Sequence, residues 1–321
     1  MRHFSLFVCL TFLLAMLCSC QSQPTNNNAN TEDGLHVVTT IYPLYDWVRQ
    51  IVGENNENIF IELLMDNGVD LHSYQMTAAD LMAIKGSDLF IFVGGESEEW
   101  AEDLVLEPDA PAFLNLLDAM GERALEEEIK EGMESEEHEE HATELDEHVW
   151  LSVRNASFLC GSICDTLCEL DADNAQQYRQ NLTAYQAKLM DLDQRFQDTV
   201  DKGRVQMLVF GDRFPFRYLV EDYGLDYAAA FVGCSAETEA SFDTVIYLAN
   251  QVDENKLNAI CKLETSDGSL AQTISNNTKN QHPALVTFQS LQAVTATEGD
   301  GSMTYLDAME KNLAALKEAL Q

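Results

Sequence analysis

Residues 173–202 run for about thirty positions without a glycine or a proline, and are rich in Gln, Leu, Ala and Asp. A stretch of that length with no breaker predicts one long helix. On either side of it, short apolar runs rich in β-branched and aromatic residues alternate with helical patterns. Strands are predicted at 36–41, 59–64 and 89–93, with helices at 44–52 and 77–85. Thr77 with Asp80 three residues later matches a capping box and fixes the start of the second of these helices. A further helix past 153 carries Cys160, Cys164 and Cys168. Beyond Gly203 the alternation resumes, with strands at 205–210, 257–263 and 284–288 and helices at 214–223, 238–252, 269–279 and 303–320. Such alternation argues for parallel strands in α/β units. The expected fold is α/β, two small doubly wound lobes at 35–170 and 204–321, joined by a linking helix at 171–203.

Ahead of the first lobe, Arg2 precedes an apolar stretch at 4–17, too short to span a bilayer, which reads as a secretory signal. It closes on Leu17-Cys18-Ser19-Cys20, which looks like a bacterial lipobox. Cys20 is the expected lipidated residue; Cys18 is the poorer candidate because bulky Leu17 stands directly before it. Residues 1–19 are then a signal peptide, and 20–34 a polar tether with nothing to bury. An ordinary cleaved signal followed by a disordered tail is the alternative. The expected location is extracytoplasmic, with the chain held to the membrane by lipid.

Fifty-five acidic residues face eighteen basic ones, a net charge of −37. Such a surface repels nucleic acid and anionic headgroups and favours cations. Cys160, Cys164 and Cys168 recur every four residues, which puts three thiols on one helical face. Neighbours on one helix give poor tetrahedral geometry, so core packing is the better reading of them. Cys234 and Cys261 are a possible disulfide that spacing alone does not decide.

In doubly wound sheets ligands bind beyond the carboxyl ends of the strands. The residues expected there are His72 in the first lobe and Asp212, Glu264 and Ser290 in the second, with His148 just before the helix that leaves the first lobe. A cleft between lobes would gather them.

Asp70-Leu71-His72-Ser73-Tyr74, followed by Thr77 and Asp80, is similar to the D-x-H-S-Y motif of the zinc and manganese class of ABC-transporter substrate-binding proteins, the cluster A-I metal-binding family. Asp146-Glu147-His148-Val149-Trp150-Leu151-Ser152 resembles that family's D-x-H-x-W-L-S motif. With the opening Thr40 to Leu44 and the central helix, the likeness covers essentially all of the mature chain. It implies that His72 and His148 each give one imidazole nitrogen to a divalent metal, zinc by preference, with manganese or iron as alternatives. It further implies a partner permease of an ABC importer, and a monomer.

The second lobe departs from the family pattern. Arg213 stands where the family has a histidine, and a permanently protonated guanidinium cannot coordinate a metal. Phe288-Gln289-Ser290 stands where many members have an aspartate. Replacement ligands are expected from carboxylates, in the order Glu264, Asp212, Glu237; alternatively Arg213 pairs with one of these acids and holds the lobes in register. His3, His36 and His282 carry no motif and are read as surface or core residues.

Between the two motifs, residues 126–147 contain twelve acids together with His138 and His141, inside a loop at 122–147 expected to be mobile. Auxiliary metal capture by His138 and His141 and a plain solvated loop are both open readings. Three functions follow: a lipid-anchored binding protein that feeds metal to an importer; a secreted metallohydrolase, disfavoured because no H-E-x-x-H or comparable base-bearing motif is present; and an adhesin that kept the fold and lost the site.

Overall fold

The structure is a computed structural model that describes residues 34–53, 58–134, 144–235, 239–279, 282–295 and 303–321. Cys20, Glu237, His138 and His141 lie outside the described residues.

The first lobe is built on strands β1 (Leu35–Thr39), β2 (Ile59–Leu63), β3 (Leu89–Phe92) and β4 (Ala112–Asn115), all parallel, in the order β2-β1-β3-β4. The second repeats the plan with β5 (Met207–Phe214), β6 (Asp226–Val232), β7 (Ala259–Leu263) and β8 (Ala284–Phe288), ordered β6-β5-β7-β8. In each sheet the connection runs outward to one side of the first strand and then to the other, so a switch point opens beside β1 and beside β5. A crevice at such a point is where loops from neighbouring strands diverge and leave room for a ligand. Leu89, Phe90, Ile91 and Phe92 are wholly buried on both faces, as a parallel strand covered by helices requires.

Local chemistry explains the helices. Helix α1 (Tyr42–Val52) opens with Pro43 in its first turn, where no N–H is needed. Helix α2 (Ala78–Lys85) starts at Thr77, whose side chain accepts from Asp80 N while Asp80 accepts in return, so the expected capping box is present. Short helices α3 (Glu99–Val105) and α4 (Leu116–Met120) follow β3 and β4. Helix α5 (Val153–Leu170) buries Cys160, Cys164 and Cys168 along with Leu159, Ile163 and Leu167, so the cysteine stripe is core, and all three are free thiols. Cys234 and Cys261 are free as well.

The long breaker-free stretch forms α6 (Ala175–Asp201), 27 residues and so about 40 Å of helix. Its buried face, Tyr178, Tyr185, Leu189, Leu192, Phe196 and Val200, follows the three-and-four spacing of an amphipathic helix. It packs on α5, on α1 and on the terminal helix α10 (Tyr305–Ala319). The second lobe is completed by α7 (Arg217–Tyr223), α8 (Phe242–Asn255) and α9 (Ser269–Asn277).

Several boundaries and two strands differ from expectation. Strand β5 continues to Phe214 through a register shift between Phe210 and Arg213, so Asp212 lies within the strand rather than past its end. Pro215 then delays α7 until Arg217, because the residue before a proline is pushed out of the helical region. Strands β4 and β6 were not anticipated: Ala112-Phe113-Leu114-Asn115 is an exposed edge strand too short and too mixed to stand out, and Asp226–Val232 gains its strand character from pairing with β5. The acidic segment is also less free than expected at its flanks. Glu126 bridges to Leu145, Glu127 N donates to Glu144 O at 2.8 Å, and Glu134 N reaches Ala230 O of β6 at 2.8 Å.

Helices α5, α6 and α7 meet at a polar joint. Ser152, the N-cap of α5, accepts from Asn155 N and donates to Asp222 Oδ2 at 2.6 Å; Arg154 donates to Asp222 O at 2.6 Å and to Asp193 Oδ1 at 2.8 Å. Burial pushes the Asp222 carboxyl up to about 6 despite these partners. An acid raised in the folded state binds an extra proton there, so stability falls as pH rises from about 4 to about 6 and the penalty is complete above that window. Asp222→Asn is therefore expected to stabilise the protein at pH 7.5 by on the order of 1–2 kcal/mol, allowing for its partial exposure, and to match the parent near pH 4. Urea unfolding at both pH values checks this; a stability gain that persists unchanged at pH 4 would contradict it.

Candidate metal centre

Each motif histidine is placed by an aspartate two residues before it. After β2, Asp70 caps a short 3₁₀ turn, Leu71–Ser73, by accepting His72 N at 3.1 Å. After the acidic segment, Asp146 Oδ1 accepts both His148 N at 2.9 Å and His148 Nδ1 at 3.0 Å. The next turn, Val149–Leu151, is wholly buried. Trp150 Nε1 donates to Ser290 O at 2.8 Å and Tyr305 OH to Trp150 O at 2.7 Å, so the His148 motif is bolted to the second lobe.

The two rings converge. His72 Nε2 and His148 Nε2 stand 3.1 Å apart, close to the ~3.3 Å edge of a tetrahedron with ~2.0 Å metal–nitrogen arms. His148 Nδ1 must donate to the Asp146 carboxylate, and His72 Nδ1 lies 2.7 Å from Ser97 Oγ. The Gln292 amide nitrogen lies 2.7 Å from His72 Nε2 and 3.0 Å from His148 Nε2 and donates one hydrogen to each. Both Nε2 atoms are therefore acceptors, with lone pairs aimed at one point. This is the tautomer a metal ligand needs, fixed by partners on the far side of the ring. Burial, followed by the neighbouring His148, pushes the His72 imidazole down to about 3, so it is neutral near pH 7. Burial also works to lower His148, but Asp146 and then Glu147 outweigh it and raise that imidazole above its ordinary value, so these acids favour a cation, whether a proton or a metal, on its Nε2.

Glycines make room for this packing. A Cβ on Gly233 would sit 2.8 Å from His148 Cε1, and one on Gly95, which has φ of +84°, would sit 2.6 Å from Glu147 Cγ. Glu147 is thereby pressed beneath the site, where it accepts Ser97 N at 2.7 Å and lies 3.8 Å from His72 Nδ1.

The second lobe does not supply what the sequence led one to expect. Glu264 accepts Ser290 N at 2.8 Å, Ser290 Oγ at 3.0 Å and Leu291 N at 3.1 Å. Asp212 accepts Leu263 N at 3.0 Å and Arg213 N at 2.9 Å. Both carboxylates are held by backbone N–H groups of their own lobe, and the structure does not bring them to the histidine pair. Among the described residues, the metal-ligating side chain grouped with His72 and His148 is Cys234, with all three ligand atoms within 4.8 Å of one another. Arg213 pairs not with Asp212 or Glu264 but across the cleft with Asp70, at 2.7 Å. Burial alone would raise the Asp70 carboxyl; Arg213 outweighs it and holds it below the usual range. Beside this pair opens a cavity of about 600 Å³ whose lining includes Asp70, Asp212, Glu239, Asp267 and Ser235.

Cys234 and Gln292 escaped the sequence reading. Cys234 carries no motif of its own and stood out only as half of a possible disulfide. Gln292 is a neutral residue four positions past β8, and it reaches the site because Leu291 takes a left-handed φ of +62°, which turns the chain back toward the histidines.

A family model described as zinc-uptake complex component A, periplasmic, matches residues 37–319. The chain belongs to this family. It is 30% identical over 318 residues to the high-affinity zinc uptake system protein ZnuA of Bacillus subtilis strain 168, covering 95% of this chain and 94% of that one. It is also 30% identical to the zinc-binding lipoprotein AdcA of Streptococcus pneumoniae strain R6, covering 96% of this chain but spanning only 60% of the length of that relative. Among solved structures, the Zn(II)-bound ZnuA-like domain of S. pneumoniae AdcA superposes with a TM-score of 0.71 at 28% identity, over 89% of this chain and 99% of that one. The two parallel-sheet α/β lobes are the family's fold.

The Glu264 interactions generate a stability prediction. Glu264→Ala leaves two backbone N–H groups and a hydroxyl without their acceptor and is expected to cost about 2–3 kcal/mol, with Glu264→Gln losing roughly half as much. Urea unfolding of both variants checks the order; an alanine variant as stable as the parent would remove Glu264 as the anchor of the Ser290–Gln292 loop.

Proposed function

We propose that this chain captures a divalent transition metal, zinc rather than manganese or iron, outside the cytoplasm and delivers it to the permease of an ABC importer. The observation that supports this most directly is the pair of Nε2 lone pairs, 3.1 Å apart, each fixed by a hydrogen bond at Nδ1. Such donors suit zinc, whose preferred ligands are neutral imidazole, thiolate and carboxylate. His72 and His148 hold the ion, and Gln292 closes over them from the second lobe. Its Oε1 is buried without a hydrogen-bond partner, and a half-turn of the amide presents that oxygen where the nitrogen now stands.

The names of the relatives support carriage over catalysis. In the same reading, residues 1–19 direct secretion, Cys20 takes the lipid, 20–34 tether the protein to the membrane, and the lobes at 35–170 and 204–321 act as a monomer about the linking helix at 171–203. Glu237 remains a candidate ligand from the second lobe, and His138 and His141 remain candidates for a supplementary role in capture. No helix among the described residues is long and apolar enough to cross a membrane.

Metal analysis of protein purified without chelator, with competition among zinc, manganese and iron, tests the reading; zinc at one equivalent is expected. His148→Ala is expected to weaken zinc binding at least about 100-fold, a loss of about 2.7 kcal/mol or more, in calorimetric titration. Zinc should also raise the melting temperature of the parent and leave that of the variant nearly unmoved, because an ion that binds the folded state alone stabilises by mass action. Saturable binding that survives the substitution would place the metal elsewhere.

A further inference from the structure

We infer that Cys234 is a metal ligand from the second lobe, so that the cargo ion is held by two imidazole nitrogens and one thiolate beneath the Gln292 amide. This deepens the reading just given and rests on it.

Geometry carries the argument. The three ligand atoms come from three separate segments, the turn after β2, the motif before α5 and the loop after β6, and they lie within 4.8 Å of one another. A zinc ion with ~2.0 Å bonds to nitrogen and a ~2.3 Å bond to sulfur needs nitrogen–sulfur separations of about 3.5 Å, so a movement of roughly 1 Å by the loop completes the set. Gly233 brings that loop in: its missing side chain lets the backbone before Cys234 lie against the His148 ring. The second lobe's carboxylate candidates among the described residues are engaged elsewhere, Glu264 and Asp212 on backbone amides, which leaves the Cys234 sulfur and the neutral Gln292 amide facing the histidines.

The surroundings suit a cation and not a free thiolate. Burial, together with Glu147, Glu127 and Asp146, keeps the Cys234 thiol well above its ordinary value. A divalent ion reverses that balance: the Sγ–H bond breaks, the sulfur lone pair forms the bond to the metal, and the proton leaves to solvent. A thiolate among imidazoles favours zinc and disfavours manganese, which prefers oxygen donors. A thiolate in place of a second-lobe carboxylate therefore sharpens selectivity for zinc.

Cobalt(II) titration of the full-length protein, followed by absorption, tests this. The expected result is visible d–d bands together with an intense near-ultraviolet sulfur-to-cobalt charge-transfer band at one equivalent. In Cys234→Ser the charge-transfer band disappears while the histidine-dependent d–d bands persist, zinc affinity falls about tenfold or more, and far-ultraviolet circular dichroism is unchanged. His72→Ala loses both sets of bands. Visible bands in the parent with no charge-transfer band, or a charge-transfer band that survives in Cys234→Ser, would overturn the thiolate while leaving the histidine site standing. Absence of any cobalt or zinc binding by the parent would overturn both.

Discussion

One carboxylate oxygen, Asp146 Oδ1, takes the backbone N–H and the Nδ1–H of the same residue, His148. That pair of bonds fixes where a wholly buried imidazole lies and which of its nitrogens carries the proton. With Nδ1 committed, the Nε2 lone pair must find a partner inside the protein, since an unpaired buried acceptor is costly. Everything else at the site is arranged around that lone pair: His72 presents a second, and the Gln292 amide satisfies both at once. Two acceptors 3.1 Å apart repel each other unless a donor or a cation stands between them. The fold has thus built a position that takes either a hydrogen-bond donor, as the Gln292 amide now is, or a cation.

The second lobe reaches that position by a relay. Glu264, at the end of β7, accepts Ser290 N, Ser290 Oγ and Leu291 N. These contacts hold Leu291 in a left-handed conformation, which a β-carbon resists at a cost of about 1–3 kcal/mol, and so aim Gln292 at the histidines. Trp150 reaches back from the first lobe to Ser290 O. The acid therefore works through the loop it orders. Both of its carboxylate oxygens are thereby engaged by the loop that carries Gln292.

Charge shapes the approach. The Asp70–Arg213 pair spans the lobes beside the site, and the adjoining cavity is lined by Asp212, Glu239 and Asp267. Arg213 stands where the sequence resemblance called for a histidine, and its guanidinium is used as a strut across the cleft. The acidic segment before the His148 motif is stitched at both flanks, through the Glu126–Leu145 bridge and through Glu134 to β6, the strand that leads into Cys234. A net charge of −37 sets the overall field, and a field of that sign concentrates cations near the surface.

The alternation of strand and helix, the long helix now seen at Ala175–Asp201, the Thr77 cap and the two histidine motifs were all legible in the sequence. They rest on periodicity, on caps and on contacts between residues two or three apart, as in Asp70 with His72 and Asp146 with His148. Such interactions travel with the local sequence. The second lobe's contribution was not legible, because it depends on which loop ends the parallel sheets bring together. Glu264 and Asp212 looked like ligands by their place after or near strands, and backbone amides 26 and 51 residues away claimed them first. Gln292 meets His72 from 220 positions along the chain, and Cys234 joins the pair because Gly233 lets its loop close in. By itself the sequence determined two parallel α/β lobes and a histidine from each motif of the first; only the tertiary structure decided what faces them, since a contact across a cleft is set by packing and not by spacing.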